Sequence, residues 1–130
     1  MADTGSNTLS AEPSIRVVLL PRDTNSHGTI FGGVILSYID LAGAVTVARK
    51  TRQRVVTVAM KEVVFHAPVM VGDVVSFYGR CERIGRTSIT VHVEVEVDRA
   101  GERVSVTEAD LTFVCVDNQG RPTPVVLSVP

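Results

Sequence analysis

One stretch constrains this chain more than any other. Residues 34–50 (VILSYIDLAGAVTVARK) are apolar around nearly the whole circumference of a helical wheel. A surface helix shows a single apolar stripe, whereas a helix of this kind has to be enclosed. Almost everything after it reads as strand. Residues 54–67 (RVVTVAMKEVVFHA), 74–82 (VVSFYGRCE), 87–98 and 103–116 are rich in valine, which favours strands. Turn formers separate them at Val71-Gly72-Asp73, at Ile84-Gly85-Arg86 and at residues 99–102 (RAGE). Residues 14–20 (SIRVVLL) supply a first strand, closed by Pro21, and residues 22–33 (RDTNSHGTIFGG) a loop into the helix. The economical way to bury such a helix is to curl one sheet about it. The expected fold is therefore α+β, a curved antiparallel sheet of five to six strands wrapped around one long central helix.

The alternation within two strands says which side faces the helix. Val91, Val93, Val95 and Val97 point one way, and His92, Glu94, Glu96 and Asp98 the other. Thr107, Ala109, Leu111, Phe113 and Cys115 likewise share a face, opposite Glu108, Asp110 and Thr112. Three regions follow: a polar N-terminal arm (1–13), one domain (14–122) and a proline-containing C-terminal tail (123–130). In a chain of 130 residues, 45% hydrophobic residues exceed what one small domain hides, which hints at an oligomer. A net charge of −1 gives no reason to expect nucleic acid or an anionic membrane as partner. No signal peptide or membrane-spanning run is evident, and Cys81 and Cys115 read as free thiols of a cytoplasmic chain.

Asp40 is the one residue that does not suit its surroundings. It sits between Ile39 and Leu41 in the most apolar stretch, where a carboxylate needs a partner, a cleft or a raised pKa. Helical spacing puts Gly33, Ser37 and Ala44 on its face, which could open a narrow slot beside the helix. A structural pairing with an arginine at a subunit contact explains the pattern equally well. At the helix start, Gly32 and Gly33 leave the first N–H groups uncrowded at the positive end of the dipole, suited to an oxyanion or simply to a tight turn. There is no dinucleotide or phosphate loop, no serine nucleophile elbow and no metal-ligand spacing. His27, His66 and His92 are scattered, the last two reading as ordinary strand residues.

The residues from Asp23-Thr-Asn25-Ser-His-Gly28-Thr-Ile-Phe-Gly32-Gly33 to Asp40-Leu-Ala-Gly43 resemble the signature of hotdog-fold acyl-CoA thioesterases of the cytosolic acyl-CoA hydrolase type. Arg54-Val-Val-Thr57-Val, the stretch from Phe65-His-Ala-Pro68 to Gly72-Asp73, Gly85-Arg-Thr87-Ser88, and Thr107-Glu108-Ala109 through Phe113 fit as well. The resemblance implies hydrolysis of a fatty acyl-CoA with no cofactor or metal. It implies a homo-oligomer with a dimer as the minimal active unit, assembled as a trimer of dimers. It makes Asp40 the general base or nucleophile and Asn25, from the partner chain, its catalytic companion. The N–H groups of Gly32 and Gly33 would hold the thioester oxygen. For coenzyme A, the backbone of Val58 and Ala59 and the Gly85-Arg86-Thr87-Ser88 turn are the expected contacts. Arg54, Lys61, Arg80 and Arg83 are further cations for its phosphates. Tyr38, Phe65 and Phe113 are expected to set the depth of the acyl cavity. Two rivals remain: a hydroxyacyl thioester dehydratase using His27 with Asp40, and a non-catalytic acyl-CoA-binding protein.

Overall fold

The computed structural model describes residues 12–128. In chain order the elements are β1 (Ile15–Val18), a 3-10 turn (Pro21–Asp23), α1 (Gly32–Ala48), β2 (Arg54–Phe65), β3 (Val74–Ile84), β4 (Ser88–Arg99) and β5 (Glu102–Val116). The five strands form one antiparallel sheet in the order β1-β3-β4-β5-β2, which bears out the lower of the two expected strand counts. Residues 1–11 of the expected arm lie outside the described residues.

The core lies between α1 and the inner face of the sheet. Ile35, Ile39, Ala42, Gly43, Thr46 and Val47 are the buried residues of the helix. They meet Val75 and Phe77 of β3, the valines at 91, 93, 95 and 97 of β4, and Ala109, Leu111, Phe113 and Cys115 of β5. The two alternating strands thus face as their sequence predicts. Close approach is possible because two residues lack a side chain. A Cβ at Gly43 would stand 2.9 Å from Phe113 Cζ, and one at Gly79 would collide with the hydroxyl of Thr46. That hydroxyl donates to the Ala42 carbonyl at 2.8 Å.

The helix differs from expectation in two ways. It starts at Gly32, so both glycines are its first residues, and it ends at Ala48 rather than at Lys50. One sheet also does not enclose it. Ser37, Leu41 and Val45, four residues apart, form an open stripe, with Leu41 55% exposed. The all-round apolar pattern therefore includes a face that the described residues do not cover.

The tail is not peripheral. Val125 N–H donates to the Arg86 carbonyl, Ser128 N–H to that of Lys50, and Thr51 Oγ1 to that of Val126. These bonds strap the C-terminal segment, through Ser128, across the end of the helix. Cys115 is buried and Cys81 half-buried, and both are free. Burial pushes both thiols up, with the charge of Lys50 partly opposing this at Cys81. Among the described residues, no helix is long and apolar enough to cross a membrane.

Candidate active site

Asp40 is the only charged residue of α1 and is half-buried. Among the described residues of the chain, its hydrogen-bond partner is a hydroxyl. Thr57 Oγ1 of β2 donates to Asp40 Oδ1 at 2.7 Å. Thr57 points at the helix because it keeps the inner-face alternation of Val55, just before a bulge in β2. It stands opposite Phe113, whereas Ala59 stands opposite Thr112 and Met60 opposite Leu111, leaving Val58 as the extra residue. The bulge restarts the alternation, so Thr57 and Met60 both face inward. Thr57 carried no role in the sequence reading. The available signal was its alternation with Val55, which places the only hydroxyl of β2 on the inner face.

The start of α1 leaves its first two N–H groups open among the described residues. Phe31 is the N-cap residue and makes no side-chain cap. Val34 N–H already donates to the Phe31 carbonyl at 2.9 Å. Gly32 and Gly33 N–H have no acceptor among the described residues, as the first groups of a helix do not. The ring of Phe65 lies beside Gly32, 3.6 Å from where a Cβ would stand. The two sit in the wall of a cavity of about 260 Å³ that also involves Ile30, Ile35, Val69 and Thr107. Of the three aromatics expected to set its depth, Phe65 alone lines it. Tyr38 packs on Phe77 with ring centres 5.7 Å apart, and Phe113 is buried against Gly43.

Asn25 does not meet Asp40 within the chain. Its Oδ1 accepts from the N–H of His27 at 2.8 Å and of Thr29 at 3.3 Å, while its Nδ2 donates to Thr29 Oγ1 at 2.9 Å. Gly28, at φ 86°, supplies the left-handed residue this turn needs. The loop thus holds the Asn25 amide in a fixed pose. Among the described residues no hydrogen bond joins it, or the His27 ring, to Asp40.

The residues expected to hold coenzyme A fall into two places. Val58 is 55% exposed on the bulge and Ala59 is half-buried beside it. Ser88 of β4 and Val56 of β2 both stand opposite Val114 of β5, so the Gly85–Ser88 turn lies about 10 Å, two strand spacings, from β2. In the turn, Gly85 N–H is taken by the Ser88 carbonyl at 2.8 Å. What remains is the exposed Arg86 guanidinium and the hydroxyls of Thr87 and Ser88. Arg80 is less available, being paired with Glu82 at 3.0 Å and Glu94 at 3.3 Å.

Two histidines that look scattered in the sequence meet on the outer face of the sheet. His92 Nδ1 lies 2.6 Å from Asp110 and its Nε2 3.2 Å from Glu108, whose other oxygen lies 2.7 Å from His66 Nε2. His92, Glu94 and Glu108 bring their donor atoms within 4.8 Å of one another. Each of these side chains already has a partner in the network.

The comparisons with known proteins bear on the family and the fold. The model of a family described as the thioesterase superfamily matches residues 27–109. An uncharacterized acyl-CoA thioester hydrolase of Haemophilus influenzae is 47% identical over 112 residues, covering 82% of this chain and 73% of its own. The acyl-CoA thioester hydrolase YciA of Salmonella typhimurium is 41% identical over 124 residues, 92% of this chain and 93% of its own. Among solved structures, Cj0915, a hexameric hotdog fold thioesterase of Campylobacter jejuni, matches with a TM-score of 0.85 and 43% identity, covering 89% of this chain and 91% of its own. With most of its length matched in this way, the chain has the hotdog fold and belongs to the thioesterase superfamily.

Proposed function

We propose that the protein hydrolyses acyl-CoA to the free acid and coenzyme A, at a site shared between two copies of the chain. The observation that carries this reading is a half-buried carboxylate, Asp40, on the same helix whose first two N–H groups, of Gly32 and Gly33, have no acceptor among the described residues. The rise from Gly33 to Asp40 is about 10 Å, and Asp40 leans toward the helix start. That gap accommodates a thioester carbonyl at the N–H groups and a water beside the carboxylate. Thr57 fixes Oδ1, and Oδ2 takes the proton from water as it attacks the carbonyl carbon. The tetrahedral oxyanion is held by Gly32 and Gly33 N–H. The C–S bond then breaks, and the proton ends on the departing thiolate. A thiolate leaves readily, so no strong general acid is needed.

The shared site rests on two features. Asn25 is held by its own loop away from Asp40, so an amide beside the carboxylate has to come from another copy. The helix also leaves a face uncovered, and β2 pairs with β5 on one side only. Val56 and Val58 are exposed on this strand, and the Thr57–Asp40 bond brings it beside the open stripe of Ser37, Leu41 and Val45. A long apolar edge next to an apolar helix face fits edge-to-edge pairing of two copies. The dimer is the minimal active unit, and a trimer of dimers extends it. Coenzyme A lies along Val58 and Ala59, with its phosphates at Arg86, Thr87 and Ser88. The two free thiols suit a cytoplasmic enzyme.

A panel of acyl-CoAs assayed for thiol release tests the reading. Wild type should turn them over, and Asp40→Ala and Asn25→Ala should lose activity while staying folded. Tight binding without turnover, or enoyl formation without thiol release, would overturn it.

A further inference from the structure

Thr107 is the anomaly of the core. It sits on the inner face of β5, where its companions are Ala109, Leu111, Phe113 and Cys115, and it is 0% exposed. Its Oγ1 is the one buried side-chain polar atom among the described residues without a hydrogen-bond partner. Valine has the same shape and would avoid that cost, because an unsatisfied buried hydroxyl is destabilising. Position matters as much as burial. Thr107 stands opposite Phe65, whose ring adjoins Gly32 at the start of α1. Thr107, Phe65 and Gly32 line the same cavity, whose wall is otherwise apolar apart from His66, and the His66 ring is engaged with Glu108 on the outer face. At about 260 Å³ the cavity is smaller than the ~300–1,000 Å³ typical of drug-sized ligands, so it suits a short acyl group.

We propose that the Thr107 hydroxyl is a specificity determinant that recognises an oxygen on C3 of a short acyl group. This rests on the acyl-CoA hydrolase reading above and names its substrate class. With the thioester oxygen at Gly32 N–H, the acyl chain enters the cavity, and its C3 lies two bonds from the carbonyl carbon. A plain alkyl chain leaves Thr107 unpaired. A 3-hydroxy or 3-oxo group accepts the hydroxyl hydrogen and completes the lining. Phe65, 53% exposed, stands in the wall of the cavity where it meets solvent.

The test compares kcat/KM for butyryl-CoA, 3-hydroxybutyryl-CoA and acetoacetyl-CoA by thiol release, using the full chain. Thr107→Val should lower the ratio of either oxygenated substrate to butyryl-CoA roughly two- to tenfold, the worth of one neutral hydrogen bond. Thr107→Ser should keep the wild-type ratio. Thermal unfolding of the valine variant should occur at or above the wild-type temperature, because an unsatisfied group has been removed. An unchanged ratio in Thr107→Val, an equal loss on all three substrates, or a marked fall in unfolding temperature would overturn the proposal, since the hydroxyl would then serve the fold or hold a water. A wild-type protein that hydrolyses none of the three but turns over longer acyl-CoAs also overturns the proposal, whereas one that hydrolyses no acyl-CoA at all refutes the hydrolase reading instead. Should Thr107→Val not fold, Thr107→Ala carries the same comparison of ratios.

Discussion

Thr57→Val separates catalysis from folding at one hydroxyl. Thr57 is exposed in the protomer, and valine suits a strand at least as well as threonine, so stability should change by no more than about 0.5 kcal/mol. The activity should not be spared. The 2.7 Å bond to Asp40 Oδ1 is an O–H donor to a carboxylate, a class worth about 1.5–3 kcal/mol when one partner is charged. Thr57 is solvent-accessible in the single chain, which argues for the lower end. If the bond holds the carboxylate in its reactive pose, losing ~1.4–2 kcal/mol of transition-state stabilisation lowers kcat/KM about 10- to 30-fold. The assay is thiol release under kcat/KM conditions, with denaturant unfolding measured on the same preparations. Thr57→Ser keeps the hydroxyl and should recover most of the activity, which a purely packing role of the threonine would not produce. The reasoning fails if the valine variant retains full kcat/KM, or if serine is as impaired as valine.

Other residues give independent tests. Gly79→Ala drives a methyl group into the Thr46 hydroxyl and should destabilise the fold by about 1–3 kcal/mol, read as a lowered denaturant midpoint. Asp73 is pushed up by burial but pulled further down by its bonds from Arg99 and from Met70 N–H and by the Arg99 charge, so its net position is below the ordinary carboxylate value. A depressed carboxylate stabilises the fold above the unfolded value and loses that contribution as pH falls through the folded one. Arg99→Gln should therefore cost about 1–2 kcal/mol at pH 7, with the gap to wild type narrowing below about pH 4 in unfolding experiments. Leu41→Glu places a charge on the open helix stripe, so light scattering should show smaller assemblies and thiol release should fall with them.

Much of the fold is written in two periodicities. The four valines of β4 and the odd-numbered run in β5 specify the inner face directly, and the one all-round apolar helix requires a sheet to wrap it. The helix is the exception. Its apolar circumference implies enclosure by its own sheet, yet Leu41 and Val45 are open among the described residues, because hydropathy does not distinguish burial by the same chain from burial by a partner. The site was legible as a misfit, a carboxylate between Ile39 and Leu41, but its partner was not. Thr57 faces inward in step with Val55, but alternation alone does not say which helix residue lies across from it. The roles of Asn25 and of the glycine N–H groups came from resemblance, whereas the turn that fixes the Asn25 amide emerged only in three dimensions. Thr107 stood in plain view as the one hydroxyl in an inner-face row, and burial without a partner is what made it informative.

The central claim, that Asp40 and Asn25 act together from different copies of the chain, has a direct measurement. Asn25→Ala and Asp40→Ala are each purified, mixed in equal amounts under conditions where labelled subunits are shown to exchange, and assayed for thiol release. In a mixed dimer one site receives an intact Asp40 from one copy and an intact Asn25 from the other, while the second site lacks both. Random exchange should therefore restore about one quarter of the wild-type sites. Activity rising toward that level from two inactive parents is the predicted result. No recovery despite demonstrated exchange would place both residues in the same chain's site and contradict the account.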